Sequence, residues 1–452
     1  MIIRRTLQHI ELFAGIGGFR TAMDILGRDK IARFKHVGYS EIDRKAVQTY
    51  CANYDTENEV VMGDIVHFTE SVERIGKLPN FDLLTGGFPC QTFSMMGHQR
   101  GFDDERGLMF FRIMDIVRVK HPPYILLENV KNLYTHDKRR TFTRIVEELK
   151  AAGYNVVYDI FNTQDFCLPQ TRNRVLIFAT LEPLPNNFIF SSKAVKECFE
   201  FNKSRMSVRQ SDTVIGILEK NVPDKYMLSE RIKPTLLADG SAGFKSKSEI
   251  NQLIARPLTA SMHKMHRACQ DNYYSLDFIA SDGAVNQAIN LSKDEQARLP
   301  IRKLTPKEAM LLQGFPEDFA AKASAMGVAD GALYKQAGNA VSVGNALLVP
   351  WAYIGSSEAR WKEEGIGWLK EEGFQTVAMA LRSDNIRIDD PVLKQKDRLA
   401  IIMGNEGQGL AESTINAADY VAKIPMMNGV DSLNVAVAAG LAMWELTQHR
   451  NQ

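Results

Sequence analysis

The chain has 452 residues, a formal net charge of +1, 45% hydrophobic residues and 24% charged ones. At about 150 residues per domain, this length predicts two or three domains, and the composition excludes both a single small module and a mainly disordered chain. Five scattered cysteines (Cys51, Cys90, Cys167, Cys198, Cys269) with no CxxC pair argue against a disulfide framework or zinc cage, so no metal site is expected and a reducing cytoplasm fits.

The first 180 residues alternate short apolar runs with amphipathic stretches. Strands are predicted at His9 to Phe13, Lys35 to Tyr39, Phe81 to Leu84, Tyr124 to Leu127, Asn155 to Phe161 and Val175 to Phe178, with helices at Arg44 to Asn53, Met109 to Lys120 and Thr141 to Ala152. This order reads as an α/β fold with a doubly wound, Rossmann-like sheet. Ligands of such sheets sit beyond the carboxyl ends of the strands, where this chain carries Gly15, Gly17 and Gly18, then Glu41, Cys90 and Glu128.

From about residue 181 the text turns irregular and rich in Ser, Lys and Asn until about residue 300, which predicts a small second domain. Residues 191–310 carry about +5, enough to allow contact with nucleic acid without requiring it. Regular helix returns at Thr305, where Thr305 caps, Pro306 takes the first helical position and Glu308 completes a capping box. Another change comes near residue 344. The remainder, at about −4, reads as helix (Glu358 to Glu372), strands (Gln375 to Ala380, Arg398 to Met403, Tyr420 to Ile424) and a closing helix (Ser432 to His449). The expected domains are therefore 1–180 with a return over 301–343, 181–300, and 344–452. No run reaches the roughly 18 apolar residues that span a bilayer, and the start has no signal-peptide cleavage region, so a soluble protein without membrane contact is expected.

In ELFAGIGGF three glycines follow a strand, and Glu41 ends the next one. The glycines alone suit a plain tight turn as well as a nucleoside cofactor, and Glu41 with the later Asp64 in GDI favours the cofactor, whose ribose would meet the Glu41 carboxylate. Cys90, bracketed by Gly86, Gly87 and Pro89, reads as a nucleophile facing a crevice or as a small packed hydrophobe. The strand YILLENV delivers Glu128 at its end. Arg172 and Arg174, two residues apart, share one side of an extended segment, either at a site or in solvent. The loop from Met95 to Arg106, polar and holding Gly97 and Gly101, reads as a lid or as ordinary surface.

FAGIGGF, GGFPCQTFS, LLENVKNL, PQTRNRVLIF, KLTPKEAMLLQGFP and YKQAGNAVSVGNA resemble, in order, the motifs of the DNA (cytosine-5) methyltransferases, across residues 8 to about 343. The resemblance implies S-adenosylmethionine bound by Phe13, Ala14, Gly15, Gly17 and Gly18, with Glu41 and Ile42 at the ribose, Asp64 and Ile65 at the adenine, and Pro89 and Asn339 closing the pocket. It implies Cys90 as the thiolate that attacks C6 of cytosine, Glu128 at N3, Arg174 at O2 with Arg172 beside it, and a target base flipped out of double-stranded DNA. Gln91 and Ser94 would close over that base. The irregular segment would be the target recognition domain, with Arg256, Lys264 and Arg267, and also His266, on bases or phosphates. A cognate restriction endonuclease and a cytoplasmic, nucleoid-associated location in a prokaryote follow from the same resemblance.

The tail is different text. LAIIMGNEGQGL and IPMMNGVDSLNVAVAAGLAMWE resemble the last two motifs of SpoU-type (SPOUT) RNA 2′-O-methyltransferases, and GNALLVPW resembles the middle of that domain, which places the junction near residue 343. This implies a second cofactor site at Gly404, Glu406, Gly409, Ile424, Leu433 and Asn434, and a dimer through the tail. The family's first motif, with its catalytic arginine, has no counterpart here, so an incomplete sheet without RNA methylation is expected. The alternatives to DNA methylation are an RNA ribose 2′-O-methyltransferase working through the tail, and a DNA-binding protein inactivated by the fusion.

Overall fold

The computed structural model describes residues 6–29, 31–89, 108–184, 189–203, 206–207, 211–240, 246–347, 365–371, 373–380, 382, 385–404, 409–425 and 435–447. The chain forms two compact units, residues 1–181 with 186–351, and residues 182–185 with 352–452.

In the first unit the elements run β1 (Thr6–Leu12), α1 (Gly18–Arg28), β2 (Arg33–Tyr39), α2 (Arg44–Asn53), β3 (Val60–Val61), β4 (Leu83–Gly86), α3 (Leu108–Lys120), β5 (Tyr124–Val130), α4 (Arg140–Ala151), β6 (Asn155–Asn162) and β7 (Asn173–Thr180). They build one seven-stranded sheet of order β3-β2-β1-β4-β5-β7-β6. All neighbours are parallel except β7, which runs antiparallel to both β5 and β6. Alternation along the strands divides the core between two faces. Leu83, Leu126 and Leu176 pack with Phe19, Ala22, Met23 and Leu26 of α1. Ile10, Leu84, Ile125 and Leu127 pack with Ile113, Met114, Ile116 and Val117 of α3. The strand order reverses beside β1, so the loops after β1 and β4 diverge and open a crevice between them.

The irregular segment has its own small core of Leu228, Leu236, Leu237, Ile250, Tyr273 and Ile301, with an antiparallel pair of strands, β8 (Tyr273–Ser275) and β9 (Ile301–Lys303). Its Val214, Ile217, Leu258 and Phe278 belong instead to the α1 face of the main core. The segment is therefore joined to the sheet by a shared apolar interior. Helix α5 (Pro306–Leu312) starts with the predicted capping box between Thr305 and Glu308, and Glu308 also takes a fully buried bidentate bond from Arg302. Helices α6 (Phe319–Ala325) and α7 (Asp330–Asn339) follow.

The second unit holds β10 (Gln375–Met379), β11 (Ile386–Arg387), β12 (Leu399–Ile402) and β13 (Tyr420–Lys423) in a parallel sheet of order β11-β13-β10-β12. Strand β11 had no clear signal in the sequence, being only two residues long. Val377, Ile388, Leu393, Ala422, Ala442 and Leu446 form the core. Helix α8 (Val435–Thr447) leaves Val437, Leu441, Met443 and Trp444 exposed. No helix among the described residues is long and apolar enough to cross a membrane.

Candidate active site

The turn between β1 and α1 has left-handed backbone at Phe13, Gly15 and Gly17, with φ of 52°, 56° and 83°. Left-handed backbone suits glycine and strains Phe13. Ser40, at the end of β2, holds the strained residue: its Oγ accepts from Phe13 N at 3.1 Å and its carbonyl accepts from Ala14 N at 2.9 Å. The Glu41 carboxylate accepts from Gly15 N at 2.8 Å, Ile42 N at 2.9 Å and Asp43 N at 2.8 Å. A Cβ on Gly15 would meet nothing within 4 Å, so the turn presents an open cradle with a carboxylate at its edge. Those features fit a ribose-bearing cofactor.

The other residues assigned to the cofactor sit differently. Asp64 is exposed and caps a short helical turn by accepting from Val66 N at 2.9 Å. Ile42 points outward at 70% exposure, whereas Ile65 is buried in the α3-face core, so its side chain serves packing. Pro89 is exposed, and Asn339 is exposed on the last turn of α7. Lys335 of the same helix pairs with Asp43 at 2.8 Å, which ties α7 to the segment carrying Glu41 and keeps the Asp43 carboxyl below its usual range.

On β5 and β7 the registered strands bring Glu128 and Arg174 together, with Arg174 Nε 2.8 Å from Glu128 Oε1. Burial pushes the Glu128 carboxyl up, and Arg174 and Arg172 oppose that shift. A Cβ on Gly87 would lie 3.6 Å from Glu128 Oε2, so the loop after β4 runs directly past this carboxylate. Asn129 fixes that loop by donating to the Phe88 carbonyl at 2.9 Å. Cys90, Gln91 and Ser94 lie outside the described residues, as does the loop from Met95 to Arg106.

Arg172 departs from expectation. It is fully buried and donates to the carbonyls of Leu258 at 2.9 Å, Gly338 at 3.0 Å and Ala340 at 2.9 Å. Three carbonyls hold the guanidinium, so it positions backbone and does not share Arg174's place against Glu128. Alternation put both on one side, and the difference in depth comes from the chain folding over Arg172 alone.

Sequence reasoning missed Val341. A Cβ on Gly18 would come 2.3 Å from the Val341 carbonyl oxygen, and one on Gly87 would come 2.9 Å from Val341 Cγ2. One residue of the late motif thus packs on the glycine turn after β1 and on the β4 loop together. Ser40 and Asn129 were also missed, although each adjoins a residue that was singled out. In the irregular segment, Arg256 is tied to the Glu249 carbonyl at 3.0 Å and Arg267 to the Asp239 carbonyl at 2.8 Å, while Lys264 and its neighbour His263 are exposed. His266 bonds to Asp271.

Residues 7–348 match the family model described as C-5 cytosine-specific DNA methylase. The chain belongs to that family. It is therefore a DNA (cytosine-5) methyltransferase, and membership implies S-adenosylmethionine as its methyl donor. This methyltransferase is 37% identical over 342 residues to the type II methyltransferase M1.ScrFI of Lactococcus lactis subsp. cremoris, covering 75% of this chain and 76% of that one. It is 35% identical over 347 residues to the type II methyltransferase M.SsoII of Shigella sonnei, covering 74% and 76%. In fold it is similar to the Dnmt2 methyltransferase of S. pombe, with a TM-score of 0.59, 21% identity, and coverage of 76% and 97%.

Residues 319–444 match the SpoU rRNA Methylase family, overlapping the first match over 319–348. In the tail, Gly404 and Gly409 line a cavity of about 560 Å³ together with Leu369, Ile402, Leu410 and Thr414. Ile424 packs on the tail core, while Glu406, Leu433 and Asn434 lie outside the described residues.

Proposed function

We propose that this methyltransferase acts on C5 of a cytosine flipped out of double-stranded DNA, through a covalent adduct with Cys90, as the modifying partner of a restriction endonuclease. The observation that carries the reading is the buried Glu128–Arg174 pair, set beside Gly87, three residues before Cys90. A pyrimidine ring needs this chemistry at one edge: an acid at N3 and a donor at O2. The raised Glu128 carboxyl is suited to hold a proton for N3, and Arg174 to donate to O2.

Attack of the Cys90 thiolate on C6 forms the S–C6 bond and moves the ring's electron pair toward C5, with Glu128 supplying the proton that neutralises N3. S-adenosylmethionine supplies an electrophilic methyl group. C5 takes that methyl group, which leaves S-adenosylhomocysteine; loss of the C5 proton then expels the Cys90 thiolate, and N3 returns its proton to Glu128 as the ring is restored. The cradle at Phe13, Gly15 and Glu41 is the part of the chain suited to hold the donor, and the resemblance assigns Asp64 to its adenine. The type II relatives support a role in restriction–modification.

The test is a duplex carrying 5-fluorocytosine, incubated with protein and cofactor. A covalent protein–DNA adduct is expected, and Cys90→Ser should give neither adduct nor methylation. Methyl transfer that survives Cys90→Ser and reaches RNA instead would refute this reading and favour the SpoU-like tail.

A further inference from the structure

The chain leaving β5 turns basic. A short helix, Lys131–Thr135, follows Val130 directly, and the turn His136–Arg139 then leads into α4 at Arg140. Strands β5 and β6 each pair antiparallel with β7, so they run parallel to one another. Helix α4 joins them, and it therefore begins at the carboxyl edge of the sheet and ends at the opposite edge. Lys131, Lys138 and Arg139 thus lie on the edge where Glu128 meets Arg174.

Three consecutive residues of the turn, Asp137, Lys138 and Arg139, hold left-handed backbone, with φ of 46°, 52° and 71°. None is glycine, so each is strained, and such strain persists only where the surroundings fix it. Two contacts fix it here. The Arg140 guanidinium donates to Asp137 Oδ1 at 2.5 Å, and the Arg139 guanidinium lies 4.4 Å from the centre of the Tyr134 ring. That ring packs edge-on against Phe142 of the α3-face core, 5.1 Å between centres.

The one carboxylate of the turn is taken up by Arg140. Lys131, Lys138 and Arg139 are exposed, and among the described residues none of them forms an ion pair. A run of solvated cations needs no particular backbone. In this turn, strain and a ring stack hold Lys138 and Arg139 side by side, at a cost in folding energy that solvation alone does not require. Stacking on Tyr134 also leaves the in-plane N–H donors of Arg139 open, which is the geometry that grips a phosphate. The five-residue helix sets Lys131 roughly 7.5 Å from the turn, close to two base-pair steps of about 3.4 Å each. An extended polyanion fits that spread better than a single small anion.

We propose that Lys131, Lys138 and Arg139 form a phosphate clamp that holds the backbone of duplex DNA beside the target cytosine, whatever its sequence. This rests on the reading of duplex DNA as the substrate.

The experiment is the salt dependence of binding of the full chain to a short fluorescent duplex of random sequence. Replacing Lys131, Lys138 and Arg139 together by Gln should flatten the slope of log affinity against log salt by about two to three, near 0.9 per lost phosphate contact. Lys150→Gln, exposed at the far end of α4, should leave the slope unchanged. Arg139→Gly, which relieves the left-handed backbone, should melt no lower than wild type yet flatten the slope as Arg139→Gln does. An arginine with only a structural role would not separate those two readouts. In steady-state methylation the triple variant should raise KM for the duplex more than it lowers kcat. A slope equal in wild type and triple variant, or flattened as much by Lys150→Gln, would overturn the proposal. Wild type that methylates RNA and no duplex DNA would remove the substrate reading and the clamp with it, whereas duplex methylation with an unmoved slope sinks the clamp alone.

Discussion

The Arg172 guanidinium donates to the Ala340 carbonyl at 2.9 Å, and the next residue, Val341, is the one wedged against both Gly18 and Gly87. An arginine from the middle of the chain thereby sets the spacing between the glycine turn after β1 and the loop after β4. Its two other acceptors, Leu258 and Gly338, bring the irregular segment and α7 into the same anchor.

Arg172→Ala should therefore lower stability by on the order of 3 kcal/mol, because it strands three buried carbonyls without a donor. Arg172→Lys should recover only part of this, since a point-charge ammonium cannot replace a planar fork. Urea unfolding of both variants checks the order.

Removing Arg174 should shift the pH dependence of methylation in a defined direction. Burial raises the Glu128 carboxyl and Arg174 lowers it, so Arg174→Gln frees the carboxyl to rise further. Residual activity, expected to fall at least ~100-fold, should then persist to higher pH before the protonated acid is lost. A pH–rate profile of the variant against wild type decides it. Glu128→Gln should lose this basic limb altogether.

Glu11, on β1, is buried, and burial pushes its carboxyl up to about 8, against the opposing influence of Arg20. The folded chain holds this proton between about pH 4.5 and 8 while the unfolded chain has released it. The group's contribution is thus full at acid pH and declines as pH rises toward 8, at up to about 1.4 kcal/mol per pH unit. Glu11→Gln should remove that slope. The comparison is wild-type minus variant unfolding free energy at pH 5, 6.5 and 8.

Gly15 and Gly18 should fail in different ways when changed to alanine. At Gly15 the added methyl enters open space at a left-handed φ, so the expected result is weaker S-adenosylmethionine binding with about 1 kcal/mol of strain. At Gly18 it strikes the Val341 backbone, so both stability and binding should fall. Calorimetric titration with cofactor, read beside thermal melts, separates the two.

The sequence by itself determined the sheet, its strand ends and the residues that gather there. Strand alternation and glycine spacing are local properties, so β1, β2, β4, β5, β6 and β7 fall within a few residues of their predicted bounds. The Glu41 turn and the Thr305 cap were legible for the same reason. The change of motif read near residue 344 falls within residues 319–348, which both family matches cover, and the two compact units divide at residue 351.

Only the tertiary structure decided which polar residues face chemistry and which face backbone. Arg172 and Arg174 are equivalent in the sequence, both cations on one side of a strand. They separate because Leu258, Gly338 and Ala340, distant in the chain, close over one and leave the other against Glu128. Val341 was illegible for the same physical reason: it packs on Gly18 and Gly87, hundreds of residues away in the chain, and no local period or propensity encodes such a pairing.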